Sequence, residues 1–157
     1  MMSVAPVASA GEAAGYYSNS DNYYFLGSLQ SLWMGEGAKE LGLEGNVRGD
    51  DLTAVLEGRL PDGSRLGKEV NGQHVHRPGH DLTFSAPKSV SILALIGNDK
   101  EMLEAHYHAV RVAAGYVEKL ISARNTKDGV TSIVHTGKMV AAAYTHDTSR
   151  NLSLIHI

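Results

Sequence analysis

The sequence of 157 residues contains no cysteine, four prolines, two phenylalanines and one tryptophan. The absence of cysteine excludes disulfide bonds, zinc–thiolate sites and a thiol nucleophile, and nothing points to an oxidising compartment. No apolar run approaches membrane-spanning length, and the N-terminus lacks the pattern of a secretory signal peptide. We therefore expect a cytoplasmic protein without membrane insertion.

The chain also lacks an excess of positive charge, since its net charge is -3 and its pI is near 6.2. This balance argues against a protein that holds nucleic acid through its overall electrostatic field. A local basic groove is still compatible with the sequence, because phosphate contacts need only a few cations in one place. Five basic residues suit such a groove, although each is also compatible with solvated surface charge. They are Arg59, Arg65, Lys68, Arg77 and Lys88.

Tyrosine is the exception to the scarcity of aromatic residues. Four of the seven tyrosines form two pairs, Tyr16-Tyr17 and Tyr23-Tyr24, on either side of a polar run at residues 18–22. Phenols beside a polar, turn-forming segment suggest nucleophiles, because a core usually uses phenylalanine or leucine where a hydroxyl would need a partner. The alternative is amphipathic packing, since tyrosine also suits strands and interfaces.

Patterns in the first half of the chain predict short elements. Ser9 and Glu12 have the spacing of a capping box, which predicts a helix that ends near Tyr17. Residues 38–41 are expected to form a helical turn, and an aspartate at position 50 or 51 is expected to cap a helix that continues to about residue 58. Residues 61–64 have the composition of a tight turn.

The second half of the chain shows clearer periodicity. Alternating polarity predicts a strand over residues 81–85, followed by a helix over residues 88–96 that carries Val90, Ile92, Leu93 and Leu95 into the core. Asn98 is expected to cap a long amphipathic helix that continues to about residue 121. Residues 130–135 and 139–146 are expected to be two strands joined through residues 136–138. This mixture favours an α+β fold with an antiparallel sheet covered on one side by helices.

Two groups of histidines form no strong constellation. His74, His76 and His80 occur at irregular spacing in a segment rich in proline and glycine. His106 and His108 are two apart on the predicted long helix, where their side chains diverge. We expect these residues to be structural or exposed to solvent.

Several motifs occur in a characteristic order. They are residues 9–11 (SAG), the two tyrosine pairs, and residues 56–63 (LEGRLPDG), 76–79 (HRPG), 81–91 (DLTFSAPKSVS) and 146–150 (HDTSR). Together they resemble the N-terminal part of the TrwC/TraI (MobF) conjugative relaxases, a branch of the HUH endonucleases. The resemblance implies an antiparallel, palm-like sheet with helices packed on one face. It also implies strand-specific nicking of plasmid DNA at the origin of transfer during conjugation.

The resemblance gives roles to the tyrosines. Tyr16 would attack the scissile phosphate of single-stranded DNA, leaving a 5′ phosphotyrosyl link and a free 3′ hydroxyl. Tyr23 or Tyr24 would perform a second transfer that ends the process, while the role of Tyr17 is less defined. The implied partners are single-stranded DNA at the origin, the relaxosome and components of the secretion system.

The resemblance also implies a divalent metal ion, Mg²⁺ or Mn²⁺. His146 would be one ligand, and Asp81 would accept a hydrogen bond from a ligating imidazole. From the sequence alone, a histidine at the end of an apolar strand is equally compatible with a hydrogen-bonded structural role. Asp81 is likewise compatible with a role at a strand edge or turn.

The chain departs from the family pattern after Arg150. The family continues to a His-x-His pair that completes the metal site, whereas His156 is followed here by a single isoleucine. We therefore expect residues 1–151 to form a partial relaxase domain, truncated before the fold is complete, and residues 152–157 to be a non-native tail. With an incomplete metal site, this chain alone is expected to be inactive.

Two other functions are compatible with the residues. In a non-catalytic module that binds single-stranded DNA, the tyrosine rings would stack on bases and basic loops would follow the backbone. An α+β domain without any nucleic-acid role would fit the acidic pI. Tyr16→Phe separates the first alternative from a relaxase, because stacking needs the ring and not the hydroxyl.

Overall fold

The computed structural model describes residues 1–11, 13, 15, 31–127 and 129–145. Both tyrosine pairs, His146 and the predicted boundary after residue 151 lie outside these residues. Residues 10, 11, 13 and 15 are helical, and the amide of Ala13 donates to the carbonyl of Ser9 over 3.1 Å. The start of the first predicted helix is therefore confirmed.

The described elements alternate between short strands and helices. In chain order they are β1 (Met2–Pro6), β2 (Leu32–Met34), α1 (Glu36–Glu40), α2 (Gly49–Leu56), β3 (Lys68–Val70), β4 (Gln73–Val75), β5 (His80–Phe84), α3 (Lys88–Ser91), a π-helical segment (Ile92–Ile96), α4 (Lys100–Leu120), β6 (Ser122–Lys127), β7 (Val130–His135) and β8 (Ala141–Ala143). The strands pair as β1 with β5, β2 with β8, β3 with β4, and β6 with β7, each pair antiparallel. This confirms the α+β class.

The strand β5 follows the predicted alternation. Leu82 and Phe84 are half-buried, whereas Asp81 and Thr83 are exposed on the opposite face. Asp81 pairs with Ala5 of β1. The pairing continues beyond β1, because the amide of Val7 donates to the carbonyl of Gly79 over 3.0 Å. The strand pair thus fixes the face on which Asp81 lies.

The predicted helix over residues 88–96 is in fact α3 followed by the π-helical segment. The buried residues are Ser91 and Ala94, whereas Ile92 and Leu93 are 49% and 48% exposed. The prediction that both would enter the core was therefore wrong. It assumed a period of 3.6 residues, but the amide of Gly97 donates to the carbonyl of Ile92, and this wider turn shifts the buried face.

The long helix α4 is confirmed, with a different cap. Asp99, not Asn98, is the N-cap, and its carboxylate accepts a hydrogen bond of 3.1 Å from the amide of Met102. Asn98 instead adopts a φ of +52°. Both residue types cap helices and both tolerate turns, so composition alone did not distinguish them.

The helix α2 is also confirmed, but the predicted aspartate cap is wrong. Its N-cap is Arg48, which makes no side-chain capping bond, and Asp50 and Asp51 lie in the first turn. There they favour the helix through its macrodipole.

The predicted hairpin over residues 130–146 does not form. β7 pairs with β6, which directly follows α4, and β8 pairs with β2, where Trp33 lies opposite Ala142. The amides of Thr136 and Gly137 both donate to the carbonyl of Ile121, so this turn returns to the end of α4. Asp128-Gly129 is a hairpin-type dipeptide between β6 and β7, but the polar sequence of β6 was not predicted to be a strand.

One carboxylate joins three distant parts of the chain. Glu118 of α4 accepts through Oε1 from the amide of Glu36, over 2.7 Å, and from the amide of Met139, over 3.0 Å. Gly35 has a φ of +101°, and a Cβ atom there would lie 2.1 Å from the carbonyl oxygen of Met139. Glu118 and Gly35 therefore hold the start of α1 against the chain that enters β8.

Within the described residues, no helix is both long and apolar enough to cross a membrane.

Candidate nucleic-acid interface

Among the six predicted site residues, the structure describes Asp81. Its carboxylate lies on the exposed face of β5, opposite Ala5. Tyr16, Tyr17, Tyr23, Tyr24 and His146 are outside the described residues, so their roles stay predictions.

A second cluster lies in the segment between α2 and β5. It begins with a loop over residues 58–67, in which the amide of Leu66 donates to the carbonyl of Gly58 over 2.8 Å. The predicted turn at residues 61–64 closes this loop. Asp62 Oδ1 accepts from the amide and hydroxyl of Ser64, over 2.9 and 2.6 Å. The hydroxyl and amide of Ser64 lower the pKa of Asp62, so the carboxylate that fixes the turn stays ionised.

The closed loop places two arginines side by side. Arg59 and Arg65 lie opposite each other in an antiparallel bridge. Residues in such a pair have their side chains on the same face. Arg59 forms an ion pair with Glu57, donating from Nε over 3.1 Å. Within the part of the chain that the structure describes, Arg65 has no carboxylate partner.

Two histidines lie beside the arginines, on and just after β4. A Cβ atom on Gly67 would lie 3.1 Å from Cε1 of His74, and one on Gly58 would lie 2.9 Å from Cγ of His76. Both glycines have positive φ, +112° and +77°. Glycine therefore gives each imidazole room to pack against the loop backbone. Burial lowers the pKa of His76, and the neighbouring His74 lowers it further.

Sequence reasoning missed this arrangement because it treated the segment as an irregular loop. Residues 68–75 are a β-hairpin, β3–β4, and its turn residues Asn71 and Gly72 have φ of +52° and +74°. Asn-Gly is the preferred dipeptide of a tight hairpin turn. That dipeptide was the available signal.

These residues surround an open cleft of about 490 Å³, which we name the arginine cleft. The polar residues that line this cleft are Ser9, Glu57, Arg59, Arg65, His74 and His76. With neutral histidines, two guanidinium groups and one carboxylate leave a local positive charge on an acidic chain. Residues 8–10 form one wall and directly precede the segment that carries Tyr16. Of the five basic residues compatible with a groove, Arg59 and Arg65 line the cleft, whereas Lys68, Arg77 and Lys88 do not.

A family model described as TrwC relaxase matches residues 10–153. The chain belongs to the TrwC relaxase family. This confirms the resemblance found in the sequence motifs. The multifunctional conjugation protein TraI of Escherichia coli K12 is 53% identical over 151 residues, which is 96% of this chain and 9% of TraI.

Solved TrwC structures agree with the described fold. A metal-bound complex of the conjugative relaxase TrwC with oriT DNA has a TM-score of 0.81 and 37% identity, covering 96% of this chain and 52% of that chain. A TrwC complex with a 27-mer DNA that comprises the recognition hairpin and the cleavage site has a TM-score of 0.77 and 36% identity, covering 96% and 50%. The chain therefore spans about half the length of these relaxase structures.

The histidines and carboxylates of the described residues do not form a site for the family's metal. Among residues 1–11, 13, 15, 31–127 and 129–145, no group of three or more histidine, cysteine, aspartate or glutamate residues could hold a metal ion. His74 and His76 alone provide too few ligands, because protein metal sites normally use three or more. The described part of the chain therefore does not supply a complete metal site.

Proposed function

We propose that the protein to which this chain belongs is a conjugative relaxase that nicks plasmid DNA at an origin of transfer. The proposal is supported by the match to TrwC over 96% of the chain, since TrwC structures contain oriT DNA. The ordered motifs and the exposed Asp81 agree with this assignment. The chain spans 9% of the length of TraI.

Tyr16 is the proposed nucleophile. Its phenolic oxygen forms a bond to the scissile phosphorus while the bond from phosphorus to the 3′ oxygen breaks. The phenolic proton is released, and the leaving 3′ oxygen takes up a proton to become a hydroxyl. The product is a 5′ phosphotyrosyl ester, which keeps the phosphate activated for a later transfer. Tyr23 or Tyr24 would perform that transfer, and Tyr17 fits the motif with a less defined role.

Asp81 and His146 are proposed to position the reacting phosphate through the metal site. The metal-bound TrwC structure supports the use of a metal ion, and we expect Mg²⁺ or Mn²⁺. His146 would provide one ligand, and Asp81 would accept a hydrogen bond from a ligating imidazole. Asp81 lies on the exposed face of β5, and the pairing of β5 with β1 fixes that face.

The proposed partners follow from conjugation. They are single-stranded DNA at the origin, the relaxosome and the secretion components, and the protein itself would act in the cytoplasm. The matched relatives support this, because TraI is a conjugation protein and TrwC was solved with oriT DNA.

The test is adduct formation by the native gene product on an oligonucleotide with its cognate origin. A label at the 3′ end should migrate with the protein in denaturing gels, whereas a label at the 5′ end should appear on a shortened free strand. Tyr16→Phe should abolish the adduct and preserve DNA binding, and Tyr116→Phe, an exposed tyrosine of α4, should change neither. Binding without any adduct would support the non-catalytic alternative. The 157-residue chain, measured beside it, tests the expectation that this chain alone is inactive.

A further inference from the structure

We propose that the arginine cleft binds one phosphodiester of the DNA strand, with Arg65 as its principal donor and His74 and His76 adding positive charge when protonated. The identity of the anion depends on the proposed relaxase function. The existence of an anion site does not, because it follows from the geometry of residues 57–78.

The first argument is the pairing of like charges. Arg59 and Arg65 face the same side of an antiparallel bridge, and like charges directly opposite each other destabilise a strand pair. Glu57 compensates Arg59. Arg65 has no such partner among the described residues, so an anion in the cleft would offset the remaining repulsion.

The second argument is preorganisation. The hydrogen bond from Leu66 to Gly58 and the turn fixed by Asp62 hold both arginine backbones in place before any ligand arrives. Because Gly58 and Gly67 have no side chains, the rings of His76 and His74 pack directly against the backbone at these two positions. Ordering these groups in advance reduces the entropy lost on binding.

The third argument is chemical class. Guanidinium groups donate paired hydrogen bonds that match a phosphate, and a protonated imidazole adds a further donor. The charged and titratable groups that face His76 across the cleft are Glu57, Arg59, Arg65 and His74. Arg59 and Arg65 oppose protonation of His76 in the empty cleft, whereas the negative charge of a bound phosphate favours it. Binding should therefore tighten as the pH falls.

The experiment measures binding of a fluorescent single-stranded oligonucleotide carrying the origin sequence by the full chain with Tyr16→Phe, which separates binding from chemistry. Affinity is recorded against salt concentration and between pH 8 and pH 6. Arg65→Gln should weaken binding about tenfold and reduce the slope of log affinity against log salt by about 0.7. Arg65→Lys should restore the slope.

The matched controls lie outside the cleft. Arg111→Gln and His108→Gln remove similar groups from the exposed face of α4 and should leave the salt slope and the pH dependence unchanged. His76→Gln should reduce the gain in affinity at low pH. Thermal unfolding of every variant confirms that the chain remains folded.

The proposal is overturned if Arg65→Gln and Arg111→Gln bind the oligonucleotide with equal affinity and equal salt slope. It is also overturned if the chain with an unchanged cleft shows no salt-sensitive binding of the oligonucleotide. Binding of inorganic phosphate that depends on Arg65, without oligonucleotide binding that does, would overturn the assignment to DNA. The two proposals can also fail separately. If binding depends on the cleft but the native protein forms no adduct, the relaxase function is contradicted while the anion site is supported.

Discussion

The carboxylate of Glu118 should contribute more to stability than any other exposed or half-buried glutamate of α4. It accepts hydrogen bonds from the amides of Glu36 and Met139 on one oxygen. A hydrogen bond to a charged group contributes about 1.5–3 kcal/mol. Because Glu118 is only half-buried, water weakens both bonds, and we expect Glu118→Ala to lower the free energy of unfolding by about 2–4 kcal/mol.

Two substitutions separate the causes of this loss. Glu118→Gln keeps an acceptor oxygen and removes the charge, so it should cost about 1 kcal/mol. Glu104→Ala, at an exposed position of the same helix, should change stability by less than about 0.5 kcal/mol. The assay is urea unfolding followed by circular dichroism. A loss for Glu118→Ala no larger than that for Glu104→Ala would refute the view that this carboxylate holds α1 and the entry to β8 together.

Three further predictions concern single residues. Gly35→Ala should lower the free energy of unfolding by more than about 3 kcal/mol, because its Cβ would collide with the carbonyl of Met139. In the same assay Gly42→Ala should lower it by about 1 kcal/mol, because Gly42 also has a positive φ but has open space around it. Asp99→Ala should cost about 1 kcal/mol by removing the cap of α4, and Asp99→Asn should retain most of it. The lowered pKa of His76 means that the folded state binds fewer protons, so its contribution to stability is complete above pH 6.5 and decreases as the pH falls towards its folded pKa. His76→Gln should flatten this part of the stability profile, and an unchanged profile would contradict it.

Local signals predicted those elements whose conformation depends on neighbouring residues. The alternation of polarity in β5 correctly predicted its half-buried and exposed faces, and the helical period correctly predicted α4. The composition of residues 61–64 correctly predicted a turn. The errors occurred where two local choices were nearly equal. Asn98 and Asp99 are both good caps, but Asn98 has a φ of +52° whereas Asp99 has the extended backbone of an N-cap, so Asp99 begins α4.

Sequence patterns did not predict which strands pair when the strands are far apart in the chain. β8 pairs with β2 across most of the chain, which no local pattern indicated. The pairing of β6 with β7 is local, and the hairpin-type dipeptide Asp128-Gly129 between them was its available signal. The five basic residues suggested a groove, but composition did not show that backbone hydrogen bonds bring Arg59 and Arg65 together. The family was identified by the order of its motifs, since none of them is specific alone.

The most direct test of the account is mass spectrometry of the covalent adduct formed by the native gene product on an oligonucleotide with its cognate origin. The account predicts a peptide in which Tyr16 carries the 5′ phosphate of the DNA strand. A nicked strand with no DNA attached to the protein, or an attachment only at residues other than Tyr16, would contradict it.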